Sequence, residues 1–80
     1  MNKARAKALS AIVSELEELQ SKLEALRDEE RDAYEEMSET KKESEAGELA
    51  EEAAEHIEGA CSDLDSLLDH IGEAVRDFTE

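Results

Sequence analysis

The stretch at residues 9–37, LSAIVSELEELQSKLEALRDEERDAYEEM, carries the pattern that decides the fold. One set of side chains in it recurs at alternating steps of three and four positions, and all are apolar except Glu30. The set comprises Leu9, Ile12, Leu16, Leu19, Leu23, Leu26, Glu30, Ala33 and Met37. Such steps place side chains along one stripe of an α-helix, and about four heptads in succession are typical of a coiled coil.

A second stripe with the same steps fills residues 50–78. It comprises Ala50, Ala53, Ile57, Ala60, Leu64, Leu67, Ile71, Ala74 and Phe78. With Leu9 and Ala50 assigned to heptad position a, each stripe alternates between an a row and a d row. No segment alternates with a period of two, so no strand is predicted. Two such helices joined by a short polar segment predict an all-α fold, an antiparallel two-helix coiled-coil hairpin.

The two stripes also predict the register of this hairpin. Pairing residues whose numbers sum to 83, such as Leu26 with Ile57, places a positions opposite d positions and centres the turn between Lys41 and Lys42. A slip by one heptad would need a loop of about 15 residues, which is uncommon in a compact helical unit. We therefore expect one domain with a helix at about 3–37, a turn at about 38–44 and a helix at about 45–78. Candidate N-caps are Ser38, Thr40 and Ser44.

A third apolar row follows the second stripe at heptad position e: Ala54, Cys61, Leu68 and Val75. The first helix offers Ala6 and Val13 on its equivalent row. An a/d/e stripe is wider than a two-helix seam and is typical of helices in bundles. We expect a homo-oligomer, with a dimer of hairpins forming a four-helix bundle through Ala54, Cys61, Leu68, Val75 and Val13. The alternative is that this row docks another protein.

The composition is strongly acidic, with 24 Asp and Glu against nine Lys and Arg and a formal net charge of −15. This balance argues against direct nucleic-acid binding, which needs a basic surface, and favours a basic protein as partner. No apolar run approaches the roughly 18–20 residues that span a bilayer, so we expect no membrane association and a cytoplasmic protein. The hairpin would gather an acidic surface at its turn end, formed by Asp28, Glu29, Asp32, Glu35, Glu36, Glu48, Glu51, Glu52 and Glu55.

Few residues are candidates for chemistry. Glu30 is interpreted as a tolerated or register-setting polar residue, neutralised by Arg27 or Arg31. His56 and His70 lie 14 positions apart, or about 21 Å along one helix, and cannot share a metal ion. Cys61 is interpreted as a small packed apolar group. We therefore predict no enzyme activity, no catalytic residues, no cofactor and no metal site.

Residues 26–58, LRDEERDAYEEMSETKKESEAGELAEEAAEHIE, resemble a group of small acidic helical proteins encoded by tailed bacteriophages and prophages. In that group an L-R-D-E-E start, an aromatic residue and an M-P-E-S-like turn lead through a Ser/Gly-Glu step into a second acidic, alanine-rich helix. The matching residues here are Leu26 to Glu30, Tyr34, Met37, Ser44, Gly47 and Glu48, whereas Ser38 stands where that pattern has proline. The resemblance implies a phage accessory protein in the bacterial host cytoplasm, with no assigned activity and no catalytic residues to transfer.

Three functions remain open at this point. The first is a non-enzymatic protein that acts by protein–protein binding, in its sharpest form a DNA-mimic-like inhibitor of a basic host protein. The second is a self-associating structural or assembly coiled coil without a separate target. The third is an oligomer that sequesters a small ligand between hairpins.

Overall fold

The computed structural model describes residues 1–76, which form three helices in the order α1 (Lys3–Glu35), α2 (Glu39–Lys42) and α3 (Glu45–Arg76). The long helices α1 and α3 pack against each other in opposite directions, and the molecule is a rod of 58 × 15 × 14 Å. The prediction of an all-α helical hairpin is confirmed. The expected helix end at residue 78 and the contact expected of Phe78 lie outside the described residues.

α1 begins where the sequence predicts it and ends slightly sooner. The Asn2 side chain caps its start by accepting a hydrogen bond of 2.9 Å from the Arg5 amide, which satisfies one of the free amides of the first turn. At the other end the amides of Glu36 and Met37 donate to the carbonyls of Asp32 and Tyr34. Met37 therefore follows the last helical residue, Glu35, instead of closing the helix.

The turn contains a short helix of its own. Ser38 caps α2 by accepting a hydrogen bond of 3.2 Å from the Lys41 amide, as its side chain type predicts. Thr40, another candidate cap, instead lies inside α2. Ser44 closes the turn, because its hydroxyl donates to the Lys41 carbonyl while its own carbonyl accepts from the Glu48 amide in the first turn of α3.

The helices bury one stripe each along the length of the hairpin. On α1 the buried and half-buried stripe comprises Ala6, Leu9, Val13, Leu16, Gln20, Leu23, Arg27, Glu30 and Tyr34. On α3 it comprises Gly47, Ala50, Ala54, Ile57, Cys61, Leu64, Leu68, Ile71 and Val75. These are the a and e rows of the sequence, so the helices face each other mainly through a and e instead of through a and d; Glu24 and the d-row residue Ala53 are also half-buried.

This arrangement corrects the predicted seam. The d-row residues Ile12, Leu19 and Leu26 of α1 are exposed, and so are Ala60, Leu67 and Ala74 of α3. The d row lies about 60° to one side of the a row and the e row about 40° to the other, so a modest rotation of each helix exchanges them. On α3 the small e-row residues Gly47, Ala54 and Cys61 are buried and allow close approach of α1, which favours the inward position of this row.

Polar contacts across the hairpin accompany this rotation. Gln20 hydrogen-bonds to Asp65, and Arg27 forms an ion pair of 3.1 Å with Glu58. The residue numbers in each pair sum to 85, so each partner lies two positions further along α3 than the predicted sum of 83 places it. Gln20 and Arg27 are half-buried, as e-row residues on the inner stripe should be.

The hairpin consequently has two different long sides. The two long helices run in opposite directions. Viewed from one end of the rod, successive residues therefore turn clockwise in one helix and anticlockwise in the other. As a result, the same heptad row of α1 and of α3 lies on the same side of the hairpin. The contacts of Gln20 and Arg27 with α3 define a polar side. The two d rows share the opposite side, which we call the apolar face: Ile12, Leu19, Leu26, Ala60, Leu67 and Ala74.

Candidate functional site

The apolar face is the first of two surfaces that the hairpin offers to a partner. Its large side chains are about half exposed: 46% for Ile12, 54% for Leu19, 52% for Leu26 and 44% for Leu67. Ile12, Leu19 and Leu26 recur every seven residues, so they lie in one row on α1, about 10.5 Å apart along the helix. Large exposed apolar side chains collected on one side of a small protein are typical of interaction sites.

The acidic surface at the turn end is the second. The structure places all nine predicted residues in exposed positions: Asp28, Glu29, Asp32, Glu35, Glu36, Glu48, Glu51, Glu52 and Glu55. Antiparallel packing brings the acidic end of α1 beside the acidic start of α3, as the contact of Arg31 with Glu58 at 3.0 Å shows. The acidic residues of both helices therefore surround one end of the rod.

Three basic side chains near this end, Arg27, Arg31 and Lys42, form ion pairs within the hairpin, and Lys41 is exposed at the turn. Arg27 contacts Asp28 and Glu58, each at 3.1 Å, and its hydrogen bond to Asp28 raises its pKa. Arg31 also binds Glu58, and Lys42 lies 3.7 Å from Glu35. Arg27 and Arg31, which the sequence analysis expected to neutralise Glu30, thus form ion pairs with Glu58 instead. Since three cations share these few carboxylates, most of the acidic surface keeps its charge.

Tyr34 joins the turn to α3. Its hydroxyl hydrogen-bonds to Glu51, which raises the pKa of Tyr34, and partial burial and the charges of Glu51, Glu35 and Glu39 raise it further. The ammonium group of Lys42 lies over the Tyr34 ring, 5.2 Å from its centre, in a cation–π contact. These contacts attach the short helix α2 to the long helices.

A cleft of about 530 Å³ opens on the polar side next to Tyr34. Its lining comprises Arg31, Asp32, Tyr34, Glu35, Glu51, Ala54, Glu55 and Glu58. Five carboxylates against one arginine, itself bound to Glu58, make this lining unfavourable for phosphates and other anions. The cleft therefore gives no support to a nucleotide-like ligand.

The row expected to hold a second copy lies inside the hairpin. Ala54 and Cys61 are buried, and Leu68, Val75 and Val13 are half-buried between the helices. The expectation assumed that the e row is free to contact a second copy. This assumption is wrong, because the e row lies in the contact between α1 and α3.

Sequence reasoning missed the apolar face as a surface, although a signal for it exists. On α1 the d row holds the bulky Ile12, Leu19 and Leu26, while on α3 the e row holds the small residues Gly47, Ala54 and Cys61. The polar e-row residue Arg27 also has an acidic counterpart, Glu58, at the matching level of the other helix. Comparing side-chain size and charge between the e and d rows would have favoured the observed rotation.

Other kinds of site are less well supported. His56 and His70 are exposed on α3, and among residues 1–76 no three His, Cys, Asp or Glu side chains are grouped to hold a metal ion. Over the same residues, neither long helix contains an apolar stretch sufficient to cross a bilayer.

Comparison of the chain with protein-family models, with curated proteins and with solved structures found no match. The functional argument consequently rests on the two surfaces and on the chemistry of their residues.

Proposed function

We propose that this protein acts by binding a basic protein through its acidic turn end, as a DNA-mimic-like inhibitor without catalytic activity. The observation that carries the proposal is the exposure of all nine acidic residues at one end of a 58 Å rod. At the other end, Lys3, Arg5 and Lys7 of α1 stand beside Asp69 and Glu73 of α3, so positive and negative charges are mixed there. This difference in charge along the rod gives a partner one defined place to bind.

The rigidity of the acidic end supports this function. The packed helices hold the backbone positions of these acidic residues at set spacings along the end of the rod. Ion pairs at Glu58 and the contacts of Tyr34 with Glu51 and Lys42 stabilise the helices where the acidic residues lie. Under the phage resemblance, the partner would be a nucleic-acid-binding protein of the bacterial host in its cytoplasm. Charge complementarity of this kind accelerates association and gives it a strong salt dependence.

The test is capture of bacterial lysate proteins on the immobilised hairpin at low salt, elution with salt, and identification by mass spectrometry. Each captured protein is then bound to a labelled DNA duplex and titrated with the free hairpin. Fluorescence anisotropy should fall as the hairpin displaces the duplex. Recovery of no basic protein, or capture without displacement of DNA, would contradict the proposal.

Two charge variants make the test specific to the turn end. The first neutralises four exposed carboxylates there: Glu29→Gln, Asp32→Asn, Glu48→Gln and Glu52→Gln. The control neutralises four exposed carboxylates towards the open end: Glu15→Gln, Glu17→Gln, Asp69→Asn and Glu73→Gln. Both variants remove the same charge, so a larger loss of displacement in the first assigns binding to the turn end. Equal losses would show that only net charge matters.

Self-association in a structural role is the second candidate, and the apolar face favours it. A helical hairpin with exposed Ile12, Leu19, Leu26 and Leu67 gains stability when a partner covers these side chains. The two functions are compatible, since the apolar face extends along a side of the rod and the acidic surface surrounds its end.

A further inference from the structure

The hairpin has a small core of its own. Within residues 1–76 the buried apolar side chains are Ala6, Ala54 and Cys61, all of them small. The larger residues of the inner stripes are only half-buried, and those of the d rows are exposed. Chains of this size with so little buried surface usually gain stability by oligomerising.

The apolar face is complementary to itself. Leu19 stands at the middle of α1, with Ile12 and Leu26 one heptad to either side. A twofold axis through Leu19 would therefore bring Leu19 against its copy and Ile12 against Leu26 of the second copy. Leu67 of α3 lies at nearly the same level, because its neighbour Asp65 hydrogen-bonds to Gln20. The bulky residues of both helices thus meet near the axis, as an isologous interface requires.

Charge distinguishes the two ways in which two apolar faces can meet. With the turns at the same end, the two acidic surfaces would lie side by side and repel each other. With the turns at opposite ends, each acidic surface lies beside the open end of the other copy, where Lys3, Arg5 and Lys7 stand with Asp69 and Glu73 and negative charge is less concentrated. The rod is 58 Å long, far more than the screening length of about 8 Å at physiological salt, so the two acidic ends would no longer interact.

The apolar face extends along a side of a rod that is 58 Å long, so two copies can lie against each other over many turns of helix. Its large side chains, Ile12, Leu19, Leu26 and Leu67, are 44–54% exposed in the single hairpin, and burying them against a second copy would favour association.

We propose that the occupant of the apolar face is a second copy of this chain, related by a twofold axis at Leu19, with the two turns at opposite ends of a four-helix bundle. This inference is independent of binding to a basic partner, which would use the acidic end of one hairpin or of two, and it rests on and specifies the self-association given above as the second candidate function. It also moves the predicted dimer contact from the e row to the d row.

The first experiment measures mass in solution by sedimentation equilibrium. The wild type should give twice the chain mass of 8.9 kDa. Leu19→Glu places two charges at the axis and should raise the dissociation constant about 100-fold or more. The matched control is Ser21→Glu, which adds the same charge two residues away on the opposite side of α1 and should remain dimeric.

The second experiment tests orientation by cross-linking single cysteines with a short bismaleimide, in a Cys61→Ala background. Leu19→Cys should link to its own copy. Ile12→Cys alone should not, because the two copies of that residue would lie about 21 Å apart along the bundle. A mixture of Ile12→Cys with Leu26→Cys should link. If the turns lay at the same end, α1 would face α3 of the other copy and this dependence on position would disappear.

A monomeric wild type, a mass above two copies, or equal masses for Leu19→Glu and Ser21→Glu would each overturn the inference. Leu19 is exposed in the single hairpin, so circular dichroism should show both variants to be helical. Should Leu19→Glu lose its helices, the cross-linking pattern decides alone. If Leu19→Glu is monomeric and still displaces DNA, binding to a basic partner does not depend on the dimer. If the wild type is a dimer and displaces no DNA, the dimer inference stands and the proposed DNA-mimic function fails.

Discussion

Gly47 in the first turn of α3 lies directly against the carbonyl oxygen of Lys42 at the end of α2. A methyl group at Gly47 would overlap this oxygen and also the carbonyl oxygen of Lys41. The obstruction is backbone on both sides, so it cannot be relieved by a change of rotamer. The close approach allows α2 to fold back on α3 and makes the turn compact.

Gly47→Ala should therefore destabilise the hairpin although alanine is the better helix former. Forcing a methyl group into packed backbone costs about 1–3 kcal/mol of the free energy of unfolding. Gly59→Ala is the control, because a methyl group there meets no other atom. It should stabilise the protein by up to about 1 kcal/mol through helix propensity. Urea unfolding followed by circular dichroism measures both changes, and a stabilised Gly47→Ala variant would contradict the packing of the turn.

The ion pairs at Glu58 should contribute unequally to stability. The side chain of Arg27 is 20% exposed and that of Arg31 is 53% exposed, so the charge of Arg27 is the less screened by water. Arg27→Gln should lower the melting temperature more than Arg31→Gln, and added salt should reduce the difference. A double-mutant cycle with Glu58→Gln measures each coupling. A larger coupling for Arg31 would show that the helices are rotated differently.

Cys61 reports which row faces inward, because it is 5% exposed in this arrangement and would be accessible with the d rows inside. The folded protein should react slowly with a thiol reagent and rapidly once urea unfolds it. The control is Ser62→Cys in a Cys61→Ala background, where the thiol stands at the adjacent exposed position and should react at once. Cys61→Leu should cost about 1–3 kcal/mol through overpacking. Rapid labelling of native Cys61 would refute the buried e row.

Tyr34 should titrate above its usual pKa of 10.0, because its protonated hydroxyl donates to Glu51 and its ionised form would face Glu51, Glu35 and Glu39. A pKa raised by folding contributes stability that is complete below pH 10 and is lost as pH rises through the raised value. Phenolate absorbance of this single tyrosine measures the midpoint directly. Glu51→Gln should lower the midpoint, whereas Glu17→Gln, far along α1, should leave it unchanged.

The concentration of negative charge at the turn end could be predicted from sequence alone, because it follows from topology. Once α1 and α3 run in opposite directions, Asp28 and Glu55 lie at the same end regardless of how the helices rotate. The partners of individual side chains could not be predicted in this way. Arg27 and Arg31 were assigned to Glu30 and bind Glu58, since a rotation of the helix moves a side chain from one neighbour to another.

By itself, the sequence determined two long helices, their antiparallel pairing and the place of the turn. Spacing by threes and fours excludes strands, and Ser38 and Gly47 carry the local chemistry of the turn. Only the tertiary structure decided which rows face each other. The d, a and e rows lie within about 100° of one another on each helix, and two helices can enclose just two of these rows. The small e-row residues of α3 and the Arg27–Glu58 contact favour the inward position of the e rows, which leaves Leu19 and its row outside.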